Sequence, residues 1–268
     1  MRPDGRKTQG GPMSIETTKE NGTAIITINR PERKNAITLA MRTEIESAFQ
    51  AAQDDHDVRV IILTGAGSDF SAGADVSEMG GGGMRNSLLR MRHLHRMARS
   101  VANTQKPVIA AVRGVCIGMS WSLALAADIV VAAEDARFQF AFRHIGLAPD
   151  GGASFLLTRY LGLQRAKEII YSGRFVSGSE AQQLGLALHS VPSEDVMSKA
   201  QEIAASFANA PTLALMMAKR QFDAAPAQTY DQALDFEATM QPLMVETEDF
   251  REGTLSFKEK RKAQFTGN

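Results

Sequence analysis

Short runs of β-branched and apolar residues alternate along this chain with longer stretches of helical periodicity, and the connections are short. That order points to an α/β architecture with parallel strands. Thr23 to Ile28 reads as a strand, bounded by Asn21-Gly22 before it and Arg30-Pro31 after it. Ile37, Met41, Ile45, Ala48, Phe49 and Ala52 recur at helical spacing and predict a helix. Val58 to Thr64 is a second strand, and a loop runs from Asp69 to Asp75. The tetraglycine Gly80 to Gly83 holds no regular element and marks a mobile segment. A helix is expected from about Met84 to Val101, with Leu88, Met91, Leu94, Met97 and Val101 on its buried stripe. Val108 to Val112 is a strand, Gly114 to Gly118 a turn and Ser120 to Asp128 a helix. Ile129 to Ala133 is a further strand, and Ala136 to Phe140 is a candidate for one more. From Ser179 onward the chain reads as helical, with Ser193 capping a helix that carries Val196, Ala200, Ile203 and Phe207, and Pro211 opening the next.

The 268 residues, 44% hydrophobic, suffice for a substantial core. The expected organisation is a leader at 1–12, an α/β core at 13–190 and a helical region at 191–268. Residues 1–12 lack the apolar stretch of a signal peptide and read as a disordered leader or a remnant of recombinant expression, with Met13 as the natural start. A formal net charge of zero gives no reason to expect a nucleic-acid or anionic-membrane partner. The single cysteine, Cys116, rules out an internal disulfide and a Cys-based metal cage, and fits a reducing compartment such as the cytoplasm. No apolar run approaches the ~20 residues needed to span a bilayer. His, Asp and Glu show no metal-ligand spacing, so no metal is expected.

Three ordered stretches carry a resemblance. They are Asp69-Phe70-Ser71-Ala72-Gly73-Ala74-Asp75, then Val112-Arg113-Gly114-Val115-Cys116-Ile117-Gly118-Met119, then Gly146-Leu147-Ala148-Pro149-Asp150-Gly151-Gly152. Arg30-Pro31, Asn35-Ala36, Gly185-Leu186 and Phe257 to Arg261 add to the pattern. Over residues 20–266 the chain resembles the crotonase (enoyl-CoA hydratase/isomerase) superfamily. The resemblance implies a ββα spiral core with a C-terminal helical trimerisation region, hence a homotrimer or a dimer of trimers. It also implies an acyl-CoA thioester substrate and no separate cofactor, since coenzyme A enters as part of the substrate.

By the same resemblance, the backbone N–H groups of Ala74 and Met119 form an oxyanion hole for the thioester enolate. Small residues at Ser71, Ala72 and Gly73 allow close approach of a ligand, and Gly118 opens a helix whose N-terminus faces developing negative charge. Met119 replaces the glycine more usual there and narrows the acyl pocket. Hydratases of this family use two glutamates, and those positions hold Ser122 and Phe142 here. Asp150, directly after Pro149, stands where isomerases of the family place a carboxylate, as in the Δ3,Δ2-enoyl-CoA isomerase branch with its ring-opening phenylacetate-pathway members. Lys34 and Lys260 are the cations expected near the CoA phosphates, with Arg30 and Arg113 near the same segments.

The residues themselves leave alternatives. Pro149 to Gly152 also suits a turn in which Asp150 bonds its own backbone. Phe138, Phe140, Phe142, Leu147 and Phe155 would desolvate the carboxyl if they surround it. Ser120 suits a helix N-cap or packing position better than a nucleophile, and His93, His95 and His144 suit surface or packing roles. Lys260 sits among Lys258, Arg261 and Lys262, so a solvated charged tail accounts for it equally well.

Overall fold

The structure, a computed structural model, describes residues 14–268; the leader and Met13 lie outside the described residues. Strands β1 (Ile15–Glu20) and β2 (Thr23–Ile28) form an antiparallel hairpin. Helix α1 (Leu39–Asp54) follows, then β3 (Val60–Gly65), α2 (Gly83–Ala102), β4 (Val108–Val112), β5 (Val115–Ile117) and α3 (Met119–Leu125). Next come β6 (Ile129–Ala133), β7 (Arg137–Gln139), α4 (Ala153–Leu161), α5 (Leu163–Ser172), β8 (Phe175–Ser177), α6 (Gly178–Gln183) and β9 (His189–Val191). Helices α7 (Val196–Ala208), α8 (Thr212–Ala224), α9 (Tyr230–Val245) and α10 (Glu248–Glu259) complete the described chain.

The larger sheet has the order β1-β2-β3-β4-β6-β9, parallel from β2 onward. A smaller sheet, β5-β7-β8, runs beside it. The order explains a spiral. Each new strand of the large sheet adds at the same edge, and the chain then deposits a short strand on the second ladder: β5 after β4, β7 after β6. Single bridges extend that ladder backwards. Ser71, after β3, pairs with Cys116 of β5, and Ile37, after β2, pairs with Ala74. Strands β3 and β4 are buried along their whole length, as parallel strands covered on both faces must be.

Several expectations need correction. Ile37 is not in α1: Thr38 caps that helix, its hydroxyl accepting from the Met41 N–H, and Ile37 belongs to the bridge before it. Its helical phase is fortuitous, because a buried bridge position wants the same kind of side chain. Gly114 to Gly118 is no simple turn, since Val115–Ile117 forms β5. The region after Ser179 is not wholly helical, because β9 joins the large sheet beside β6. Asp195, not Ser193, precedes α7 as its cap residue. Helix α7 packs across β3, β4 and β6, so burial against the sheet continues beyond residue 190. On α2, Leu94, Met97 and Val101 are buried, but Leu88 is exposed, because the helix's first turns project past the core.

Candidate active site

Asn35 organises the loop region that follows β2 and β3. It is fully buried and has positive φ, and its side-chain N–H groups donate to the carbonyls of Ala66 (2.8 Å) and Asp69 (2.6 Å). Its side-chain oxygen accepts from the Arg30 N–H, and its backbone carbonyl accepts from the Ser71 hydroxyl at 2.7 Å. Ser71 in turn accepts from the Ser120 hydroxyl (2.7 Å) and the Gly73 N–H (3.1 Å). The buried Ser71–Ser120 pair therefore joins the 71–74 loop to the first turn of α3. Ser120 is not the cap: Gly118 is the cap residue of α3, and Ser120 is fully buried in its first turn.

Gly73 makes that join possible. A Cβ on it would lie 2.6 Å from the Ile117 carbonyl oxygen, and its φ of +93° disfavours any L side chain. The parallel bridge Ser71–Cys116 and the approach of Gly73 to the Ile117 carbonyl bring the 71–74 segment beside the turn that opens α3. Among the described residues no acceptor takes either the Ala74 or the Met119 N–H. The Ala74 amide follows a glycine turn, and the Met119 amide is the first of α3. Two idle donors from adjoining segments suit an oxyanion. Met119 is 3% exposed, so its side chain fills space beside the amide.

The Asp150 segment packs on the first turns of α3, with Gly151 beside Met119 and Ser122. The Asp150 backbone carbonyl accepts from the Ser122 hydroxyl at 3.1 Å and from the Ala153 N–H at 3.1 Å. The segment does turn, but through this backbone bond and not through the Asp150 side chain, whose Oδ1 is buried with no partner among the described residues. Burial pushes the carboxyl above its ordinary value, opposed by the charges of Arg42 and then His95. Gly151 allows the approach, since a Cβ there would meet the Ser122 Cβ at 2.9 Å.

The apolar residues expected around the carboxyl do not share one fate. Phe138, Phe140 and Phe142 are buried, with Trp121 stacked on Phe140 at 4.4 Å and Phe140 on Phe142 at 5.8 Å between centroids. Leu147 and Phe155 are exposed and contribute little desolvation, Phe155 lying under the Arg159 guanidinium instead.

The candidate cations differ in fate. Arg30 pairs with Asp75 at 2.5 Å and donates to the Ala36 carbonyl, so it braces the loop. Lys34 is exposed and its carbonyl accepts from the Ala72 N–H, which places it beside the 71–74 segment. Arg113 offers its carbonyl to the Phe70 N–H. Lys260 caps the C-terminus of α10 with positive φ, and no hydrogen bond among the described residues joins it to the loop cluster. His144 packs against the Gly173 carbonyl and His93 against Arg96. Sequence reasoning missed Arg42, a buried cation whose charge acts on Asp150. Its signal was a place on the α1 stripe with Ile45 and Phe49.

Among the described residues no helix is long and apolar enough to cross a membrane, and no group of His, Cys, Asp and Glu is arranged to hold a metal ion.

Comparison with known proteins agrees with this geometry. The profile of the enoyl-CoA hydratase/isomerase family matches residues 18–268. A 1,2-epoxyphenylacetyl-CoA isomerase of Escherichia coli (strain K12) is 36% identical, over 92% of this chain and 96% of its own. A probable enoyl-CoA hydratase of Rhodobacter capsulatus is 35% identical, over 95% and 100%. The solved structure of an enoyl-CoA hydratase from Bacillus anthracis superposes with a TM-score of 0.92 at 31% identity, covering 96% of this chain and all 100% of that one. With the spiral ladder, the paired amides and a match along nearly its whole length, this chain belongs to the enoyl-CoA hydratase/isomerase family of acyl-CoA-processing enzymes, within the crotonase superfamily.

Proposed function

We propose that the chain is an enoyl-CoA isomerase that moves a 3,4 double bond to the 2,3 position of an acyl-CoA thioester. The observation that carries this is the half-buried Asp150 side chain beside α3, its Oδ1 fully buried and partnerless, while Ser122 and Phe142 stand at the two positions where the family resemblance sets the hydratase glutamates. Asp150 takes a proton from C2, and the electron pair moves onto the thioester oxygen. The N–H groups of Ala74 and Met119 hold that oxyanion. The dienolate collapses by taking the same proton back from Asp150 at C4. One carboxyl group thus serves as base and then acid, and neither water nor a separate cofactor is consumed. A carboxyl raised by burial suits both halves of this transfer.

On this reading Ser71, Ala72, Gly73 and Gly118 form the wall that meets the thioester, Ser122 fixes the Asp150 segment, and Phe142 closes the acyl side. Lys34 is placed to meet CoA phosphate. Lys260, at the C-terminus of α10, serves a neighbouring subunit of a homotrimer or dimer of trimers in the cytoplasm. An apolar groove of about 730 Å³ lined by Met217, Met240, Met244, Phe250 and Phe257 supports assembly through the C-terminal helices. The name of the Escherichia coli relative supports isomerisation, whereas hydratase names are common among the other relatives.

The test is turnover of 3-enoyl-CoA thioesters of several lengths beside the Asp150→Asn variant. Formation of the conjugated 2-enoyl thioester, lost in Asp150→Asn, is the expected result. Binding of the thioesters without turnover on any of them, or hydration of 2-enoyl-CoA that survives in Asp150→Asn, would overturn it.

A further inference from the structure

Helix α9 has no buried residue, and the two buried residues of α10 are polar, Asp249 and Ser256. Phe250 and Phe257 of α10 are exposed, so apolar burial does little to fix that helix. A polar connection does so instead. Positive φ at Lys260 reverses the chain, and residues 261–268 run back along α10. Arg261 donates to both carboxylate oxygens of Glu252, at 2.6 and 2.8 Å, and one of those oxygens also accepts the Gln264 N–H at 2.8 Å. The buried Asp249 carboxylate accepts the Thr266 N–H at 2.7 Å and the Gly267 N–H at 2.9 Å. The backbone N–H of Asp249 donates to the Asn268 carbonyl at 3.0 Å.

The same segment is anchored to the body of the protein. Arg59, immediately before β3, donates to the Phe265 carbonyl at 3.1 Å and to the Ala208 carbonyl at the end of α7 at 2.5 Å. Gly267 passes so close that a Cβ on it would lie 2.8 Å from the Arg59 guanidinium and 3.1 Å from the hydroxyl of Thr212, the first residue of α8. The Phe265 ring lies against Gly253 of α10 and lines the apolar groove together with Met217 and Met244. Residues 261–268 thus join α10 to the start of β3, the end of α7 and the start of α8 at once.

We propose that residues 261–268 are a strap that locks α10 to the body of the protein through Asp249 and Arg59, and so holds the apolar groove in the shape that a second copy of the chain meets. The bearing on assembly rests on the groove being the assembly surface, as proposed above; the locking of α10 does not. A carboxylate that accepts two backbone N–H groups makes charge-assisted bonds, stronger than neutral ones. Local opening of a helix with so little apolar burial is otherwise cheap, and the strap raises its cost.

The experiment compares full-length wild type with Asp249→Ala and Arg59→Met. The readouts are amide hydrogen exchange, peptide by peptide, and sedimentation velocity over a dilution series. In both variants exchange across α10 is expected to rise about tenfold or more, while β4 and β6 keep their wild-type rates and the assembly dissociates at higher protein concentration. Arg59 makes no hydrogen bond to α10 among the described residues, so a response of α10 to Arg59→Met reports the strap and not a local brace. Wild-type exchange of α10 in Arg59→Met would overturn the proposal and leave Asp249 a brace at its own end of the helix. A rise spread equally over β4 and β6 would overturn it as well, since the segment would then be an ordinary part of the core. If Asp249→Ala does not fold, Asp249→Asn, whose amide sets a donor against one of the two N–H groups, carries the same comparison. Loosened α10 with unchanged assembly refutes the strap's hold on the groove. A wild type that stays monomeric at every concentration, with α10 loosened in both variants, refutes the assembly reading and leaves the strap.

Discussion

Replacing Gly73 by alanine tests the proposed oxyanion hole directly. The new Cβ would sit 2.6 Å from the Ile117 carbonyl oxygen, where contacts below 3.0 Å are essentially never found. That neighbour is backbone of β5, so no side chain can swing aside. The φ of +93° adds strain of its own, and together these cost about 1–3 kcal/mol. For a chain of this size that lowers Tm by roughly 2–10 °C, which leaves the protein folded at 25 °C. Relief requires the 72–75 segment to move away from β5, and the Ala74 N–H moves with it. An oxyanion-hole donor lost in this way reduces kcat by about 10²–10³. A saturated acyl-CoA at rest carries no enolate charge, so its affinity is expected to change by much less than kcat. The assay is conjugated 2-enoyl product against time at saturating substrate, beside calorimetric titration of the saturated thioester and a thermal melt. Wild-type kcat in a variant whose Tm has fallen would refute the argument, because Gly73 would then serve packing alone.

Two further outcomes follow from the same site. Asp150 is held above its unfolded value, so it favours the folded state below that value and the contribution is lost as pH rises through the folded one. Asp150→Asn should therefore melt above wild type at pH 8, with the difference closing toward pH 4; a gap that widens on acidification would show the carboxylate to be stabilising. Asn35→Ala removes a side chain that donates to two carbonyls and accepts from one N–H, all part-buried. A loss of about 2–4 kcal/mol in denaturant unfolding is expected, together with weakened thioester binding; a neutral variant would remove Asn35 from the support of the loop.

The parts legible in the sequence are those where one periodicity dominates. Strands β2, β4 and β6 are apolar runs bounded by turn residues, and the three motifs locate the two amides and Asp150 without coordinates. Strand β1 was hidden because only Ile15 of its six residues is buried, as befits an edge strand. Strands β5, β7, β8 and β9 have three residues each, too few for any period to show. Ile37 and Leu88 show the opposite failure, a helical phase that tertiary position overrides. Arg42 was illegible because a charged residue on an apolar stripe reads as a flaw in the stripe until the Arg90 carbonyl of α2, to which it donates, is seen packed against it.

The spiral explains why the chemistry gathers where it does. The second ladder begins with single bridges, Ile37 to Ala74 and Ser71 to Cys116, where the strands are too short to satisfy every amide, so donors at 74 and 119 remain free for a ligand. The same crowding bears on which reaction the site suits. Position 122 holds a serine whose hydroxyl pins the Asp150 carbonyl, and Gly151 packs so close that even a Cβ there would reach 2.9 Å from the Ser122 Cβ. A glutamate at 122 would have to occupy space that the Asp150 segment already fills. The first hydratase carboxylate and this chain's Asp150 segment thus compete for one place. On the proposed reading, an Asp150 segment in that place, and Phe142 where the family resemblance sets the second glutamate, furnish the site to move one proton rather than to activate water.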